Sequence, residues 1–292
     1  MKEQHRLIDV SAVSLPLADN IDAKRWKGRV LSIHDADPEQ LPYFIFQPTS
    51  PKTGLAPVVS IHGWTRNAAE HAFRFARLAE TKGVTVIAPL FSRRKHKHYQ
   101  RLEIREGEQC PAVALEHLLR DAQQRFNIDT RGINLFGFSG GAQFAHRFGM
   151  MRPHLVNRLA LMAAGWFTMP DVEVPYPLGI APSGILADRT FDLQSFFGCP
   201  TRVFVGERDL RRDDSLKTGK QIDRMQGRNR VERAQRWVAA MQESAGVHKV
   251  KADIELQIID NAKHDFGTSI RKHQLDELVF NWLIPDQKGE KS

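Results

Sequence analysis

The chain has 292 residues, 41% of them hydrophobic and 26% charged, enough to build one large sheet covered by helices. Met1 to Asn20 places Lys2, Glu3, His5, Arg6 and Asp9 where a secretory signal needs unbroken apolar sequence, and no later run reaches membrane-spanning length; the expectation is a soluble, cytoplasmic protein. Cys110 and Cys199 lie far apart without metal-ligand spacing, which speaks against a disulfide framework or zinc site, and the net charge of +8 comes with no basic helix interleaved with aromatics and no nucleic-acid motif.

Short runs rich in Val, Ile and Phe alternate with helical patterns. The first runs are Tyr43 to Gln47 and Pro57 to Ile61, and the rhythm predicts a mostly parallel sheet with helices on both faces. Asn67 followed by Glu70 has the form of a capping box; Ala72, Phe75, Ala76 and Ala79 then recur at helical spacing until Gly83. Val84 to Ala88 reads as a buried strand. Pro111 suits a first helical position, and Leu115, Leu118, Leu119, Ala122 and Phe126 form the apolar stripe of that helix. Next come a strand at Ile133 to Phe138, a helix from about Gly140 to Met150, and strands at Leu159 to Ala163, Arg202 to Val205 and Ile254 to Ile259. Val231, Ala234, Val238 and Met241 share one helical face before the last strand, and Leu275, Leu278, Val279 and Trp282 share another after it. The expectation is a single domain over 1–292 with its core at about 43–285. Pro170, Pro175, Pro177 and Pro182 mark about 166–199 as an irregular lid rather than a second domain.

Gly137-Phe138-Ser139-Gly140-Gly141 matches the G-x-S-x-G pattern, and it sits where a predicted strand gives way to a predicted helix, the context that pattern needs. Gly137 and Gly141 leave room for strand and helix to approach, so that Ser139 projects its hydroxyl at the helix N-terminus. A serine hydroxyl is a poor nucleophile at neutral pH and needs a base, an orienting carboxylate and donors for an oxyanion. Among 12 histidines, His264 is the one between the last strand and the last helix. Asp209 follows the Arg202 to Val205 strand most closely, with Asp213, Asp214 and Glu207 as other carboxylates of the same segment. His71, His146 and His273 fall on predicted helices and read as solvated or locally bonded.

His62-Gly63-Trp64-Thr65, the glycine-serine motif, Gly206-Glu207-Arg208-Asp209 and Asn261-Ala262-Lys263-His264-Asp265-Phe266 together resemble the α/β-hydrolase superfamily over roughly 43–283. The continuation Gly141-Ala142-Gln143-Phe144-Ala145-His146 is similar to the polyhydroxybutyrate-depolymerase-like and dienelactone-hydrolase-like esterases, although Ser139 stands where typical dienelactone hydrolases carry cysteine. The resemblance implies the chain order Ser139, Asp209, His264 for a catalytic triad. It also implies an oxyanion hole from the backbone amides of Trp64, or alternatively Thr65, and Gly140. Acyl transfer of this kind requires no metal or organic cofactor.

The expected partner is a small-molecule ester or thioester, with nucleic acid not a primary partner. Arg93, Arg94, Lys95, Lys97 and Arg101, with Arg208, Arg211, Arg212, Lys217 and Lys220, follow strand ends on the active-site side. As an electropositive rim they would draw esters carrying a carboxylate or phosphate; as ordinary solvated loops they would do nothing. Trp64, Trp166, Phe167 and Tyr176 are candidates for an apolar acyl pocket. A silent ligand-binding protein on the same fold, a salt-dependent nucleic-acid binder, and a peptidase or acyltransferase using the same triad are the alternatives.

Overall fold

The computed structural model describes residues 6–9, 28–34, 40–104, 109–183 and 190–286. Most of the amino-terminal stretch read for a signal therefore lies outside the described residues. Nine strands form one sheet: β1 (Arg6–Asp9), β2 (Arg29–His34), β3 (Tyr43–Gln47), β4 (Val58–Ile61), β5 (Val86–Pro89), β6 (Ile133–Phe138), β7 (Val156–Met162), β8 (Thr201–Gly206) and β9 (Ile254–Ile259). Their order is β1-β2-β3-β5-β4-β6-β7-β8-β9. The pairs β1–β2, β2–β3 and β3–β5 are antiparallel, and every pair from β5 to β9 is parallel.

The helices are α1 (Ala68–Lys82), α2 (Pro111–Phe126), α3 (Gly140–Met151), α4 (Leu193–Phe197), α5 (Lys220–Gln226), α6 (Arg230–Val247), α7 (Phe266–His273) and α8 (Leu275–Leu283). Because side chains alternate along a strand, the sheet feeds two cores. Ile133 and Leu135 pack with Leu115, Phe144 and Trp237 of α2, α3 and α6, while Phe136 and Phe138 pack with Phe75 and Phe280 of α1 and α8. The central strands are therefore apolar on both sides. No helix of the described residues is long and apolar enough to cross a membrane.

Local signals held with small shifts at most strand ends, and one failed. The Asn67 side chain caps no backbone N–H of α1. It accepts instead from Thr65 Oγ1 at 2.8 Å and donates to Glu70, which is drawn to the Arg74 guanidinium at 2.6 Å, so the expected capping box does not form. Within 166–199, residues 184–189 lie outside the described part. Trp166, Phe167, Tyr176, Phe196 and Phe197 are buried, so much of that stretch is packed into the molecule.

The switch in chain direction falls between β4 and β6: the chain passes from β4 to β5 on one side and later returns to β6 on the other. Carboxyl ends of strands at such a point leave a crevice between diverging loops. The loops that follow β4, β6, β8 and β9 all open on that edge, and they carry Trp64, Ser139, Asp209 and His264.

Four buried histidines brace this framework in neutral form. His62 Nδ1 is 2.8 Å from Gly63 O, and its Nε2 accepts the Phe91 N–H at 3.1 Å. His146 repeats the pattern, with Nδ1 on Ala142 O at 2.9 Å and Nε2 accepting the Thr168 N–H at 3.0 Å. His71 bonds Ser60 Oγ and stacks on Phe266. His71 and His146 are thus buried and locally bonded, not solvated. Burial, with smaller contributions from nearby cations, lowers His62 and His96 from 6.5 to about 4 and takes His71 and His146 well below 6.5. The unfolded chain takes up these protons near pH 6.5 and the folded one does not, so their contribution is intact above that pH and lost as pH falls toward 4. Urea unfolding between about pH 7 and 5 is expected to show stability falling with pH, by up to about 1.4 kcal/mol per pH unit for each neutral histidine. A flat profile would contradict the burial of these rings.

Candidate active site

Ser139 stands between β6 and α3 with φ 53° and ψ −111°, a left-handed backbone that side-chain-bearing residues adopt only under constraint, at a cost of about 1–3 kcal/mol. The constraint is the approach of α3 to the sheet. A Cβ on Gly137 would lie 2.3 Å from Gly141 O, and one on Gly141 would lie 2.0 Å from Ile61 O, so neither position admits a side chain. The Ser139 N–H donates to Met162 O at 2.8 Å, which ties the turn to β7. The hydroxyl is thereby fixed at the N-terminus of a twelve-residue helix.

His264 arrives from the loop between β9 and α7. Its Nε2 is 3.0 Å from Ser139 Oγ and its Nδ1 is 2.7 Å from Asp209 Oδ2, and its ring stacks on Phe138 with centroids 5.2 Å apart. The turn after β8 and this loop are joined by three backbone donors: Glu207 N–H to Ile259 O, Arg208 N–H to Ala262 O, and Asn261 N–H to the Glu207 carboxylate, each at 2.9 Å. Asp209 and His264 therefore belong to one rigid unit. Of the other carboxylates considered for this segment, Glu207 is spent on that joint and Asp213 accepts from Ser215. Asp214 is exposed and makes no contact with the imidazole.

Asp209 carries a second partner that the sequence reading missed. Arg230, the first residue of α6, donates from Nη1 to Asp209 Oδ1 at 3.1 Å and from Nη2 to Ser215 Oγ at 2.8 Å. Both charged side chains are 0% exposed. A cation at a helix N-terminus opposes the helix dipole, so Arg230 at the start of a strongly periodic helix was a usable signal that something else held it there.

Trp64 lines the same crevice as Ser139, and among the described residues neither its amide nor that of Gly140 donates to a protein acceptor. A Cβ on Gly140 would lie 3.1 Å from the Trp64 ring and 3.0 Å from Tyr99 Oη, and that hydroxyl donates to His62 O at 2.6 Å. His62 and Tyr99 thus fix the loop carrying Trp64 from beneath. The crevice at Ser139 is a cavity of about 370 Å³ bounded by Trp64, Phe138, His264 and Phe266. Across Trp64 and Ser215 it adjoins a chamber of about 220 Å³ lined by Trp166, Gln143, Gln100, Arg101 and Lys217.

The remaining expected substrate contacts fall in different places. Trp166 lines the chamber. Phe167 is fully buried against Trp237, and Tyr176 is buried with its hydroxyl on Arg101 O. Arg93 and Arg94 are exposed and line neither cavity; Arg212 is neutralised by Asp223 at 2.7 Å. A larger cavity of about 510 Å³ lies elsewhere, between Met169 and Val247, and holds none of the residues discussed here. Among the described residues no group of three His, Cys, Asp or Glu side chains is placed to hold a metal ion.

This fold is shared by known proteins. A poly(3-hydroxybutyrate) depolymerase, LpqC, from Bordetella parapertussis superposes with a TM-score of 0.72 at 22% identity, covering 89% of this chain and 90% of its own. Poly(aspartic acid) hydrolase-1 from Sphingomonas sp. KT-1 gives 0.70 at 21% identity over 82% and 93%, and an S-formylglutathione hydrolase from Agrobacterium tumefaciens gives 0.57 at 15% over 88% and 94%. No protein-family model and no curated protein matches the chain in sequence. The chain has the α/β-hydrolase fold.

The buried pair generates a test of this geometry. Arg230→Met would leave the Asp209 carboxylate without its cation in a site closed to water, and the expected loss of stability is about 3–5 kcal/mol. Urea denaturation measures it; a loss no larger than that of an exposed arginine would mean that the pair is not closed from solvent.

Proposed function

We propose that the protein is a serine hydrolase that cleaves an ester or thioester of a small acyl substrate through an acyl-enzyme. The observation that carries this reading is the single imidazole bridging a strained serine and a buried carboxylate, at 3.0 and 2.7 Å. Further support comes from the names borne by proteins of the same fold, which include a poly(3-hydroxybutyrate) depolymerase and an S-formylglutathione hydrolase.

In this mechanism His264 Nε2 takes the Ser139 proton as Oγ attacks the acyl carbon. Asp209 holds Nδ1–H, which fixes the tautomer that leaves Nε2 free as a base and stabilises the imidazolium once formed. The oxygen that becomes negative is received by the amides of Trp64 and Gly140. The tetrahedral intermediate collapses, the leaving group takes the proton from His264, and water, deprotonated by the same imidazole, frees the acid and restores the serine. Arg230 acts one step back, by holding Asp209 Oδ1 while Oδ2 meets the ring.

A fluorophosphonate probe and short-chain p-nitrophenyl esters test the proposal. Ser139→Ala is expected to abolish labelling and lower kcat on the order of a millionfold, with the Ser139→Ala/His264→Ala pair no worse than either alone. Asp209→Asn should lower kcat by about ten-thousand-fold through the wrong tautomer. Folded protein that neither labels nor turns over any ester would point to the ligand-binding alternative. Faster cleavage of matched amides, or acyl delivery to added alcohols or amines over water, would point to a peptidase or an acyltransferase.

A further inference from the structure

The chamber beyond Trp64 holds an imbalance of charge that the reaction above does not use. Arg147 on α3 is fully buried, and its guanidinium is occupied by neutral groups only: Nε donates to Thr168 Oγ1 at 2.8 Å, and Nη1 donates to Gln100 O and Gln143 O at 2.6 and 3.0 Å. It lies 4.3 Å from the centre of the Trp166 ring, and the ammonium of Lys217 lies 4.4 Å from the same centre. Among the described residues neither cation has a carboxylate partner. Arg101, by contrast, is paired with Glu103 at 2.6 Å, and Arg233 with Asp223 at 3.1 Å.

Two cations sharing one indole repel each other in a partly dry place, and that arrangement is stabilised by a counter-charge. Burial first, then Arg101, Arg147 and Arg233, hold Lys217 below the usual lysine pKa; burial also lowers Arg147 to about 10, which leaves it charged at neutral pH. Among the described residues the one carboxylate lining the chamber, Asp214, is exposed, which leaves one of these two positive charges in excess. A second, independent feature lies in the same wall. The side-chain amides of Gln100 and Gln143, 5% and 4% exposed, make no hydrogen bond, and the Oε1 of each is buried without a partner. The Nε2 of each has no partner either and is not among the fully buried atoms, so each amide can offer an N–H to an incoming acceptor.

We propose that this chamber is a carboxylate subsite: the esters the protein cleaves best carry one negative charge, seated against Lys217 and the Gln100 and Gln143 amides while the scissile carbonyl lies at Ser139. The inference rests on the hydrolase reading for its link to turnover and on the chamber alone for binding. It places recognition on Lys217, with Arg147 adding its charge from against the Trp166 ring, rather than on Arg93 and Arg94. A single excess charge fits a carboxylate better than a phosphate dianion.

The test uses two matched pairs: p-nitrophenyl hexanoate against the p-nitrophenyl half-ester of adipic acid, and phenyl acetate against 4-acetoxybenzoate. They place the carboxylate on the acyl and on the leaving side, each rate being divided by that of alkaline hydrolysis. The charged member of at least one pair is expected to have the higher kcat/KM. Lys217→Met should lower that charged-to-neutral ratio about tenfold, while Lys217→Arg keeps it within about threefold. A ratio at or below one in both pairs, or a ratio that Lys217→Met leaves unmoved, overturns the subsite while the hydrolase reading stands. If no ester is turned over, the hydrolase reading fails, and titration calorimetry with adipate decides the subsite separately. Binding that Lys217→Met weakens about tenfold upholds it, and no binding overturns it as well.

Discussion

The contact between the first turn of α3 and the ends of β4 and β6 is the constraint on which the rest depends. It brings backbone against backbone at distances where a methyl group has no place, as at Gly137 and Gly141. That approach bends Ser139 into a conformation with positive φ, lifts its hydroxyl out of the sheet, and sets the Gly140 amide beside the loop carrying Trp64. The strain of the turn is held by its surroundings: every residue of α3 is buried, and a helix so enclosed cannot relax by tilting toward water.

Around this fixed hydroxyl the other groups are placed by charge and hydrogen bonding more than by packing. The Asp209 carboxylate has no exposure to water; its charge is balanced by Arg230 on one oxygen, and its other oxygen is hydrogen-bonded to the imidazole. Arg230 is itself anchored through Ser215 to the loop that lines both cavities. The buried charges thus join α6, the turn after β8 and the wall of the crevice in one network, and a change in any member is felt at the ring. Under His62 and His146, rings without a carboxylate partner stay neutral and serve as fixed donor-acceptor bridges.

How much of this was legible in the sequence depended on the range of the interaction. Ser139, Asp209 and His264 stand one, three and five residues after the apolar runs that become β6, β8 and β9, so strand ends alone placed them on one edge. The parallel half of the sheet was readable for the same reason. β2 escaped although Val30-Leu31-Ser32-Ile33 has the same buried pattern as Val58-Val59-Ser60-Ile61 of β4: it pairs antiparallel with β3, with no helix between them among the described residues, so the strand-helix rhythm that marked the later runs does not reach it. The capping box failed because Glu70 had a stronger local offer from Arg74. Arg230 and the two cations on Trp166 could not be reached by local reasoning, since their meaning comes from how α6, α3 and the segment after β8 fold back on one another. The basic loop residues Arg93 and Arg94 show the converse: proximity to a strand end in sequence does not bring a long side chain into the crevice.

Trp64 occupies a double position whose effect is mechanical. Its indole is 46% exposed and stands as a partition between the crevice at Ser139 and the chamber beside Trp166, while its own main chain belongs to the loop that faces the serine. A ligand too bulky for either compartment must push on the partition, and the push is transmitted to the peptide N–H one bond away from the ring's Cα. In the proposed chemistry, poor fit on the far side of the indole is then felt as slower turnover and not simply as weaker association, so that the wall between two small spaces also gauges what fills them.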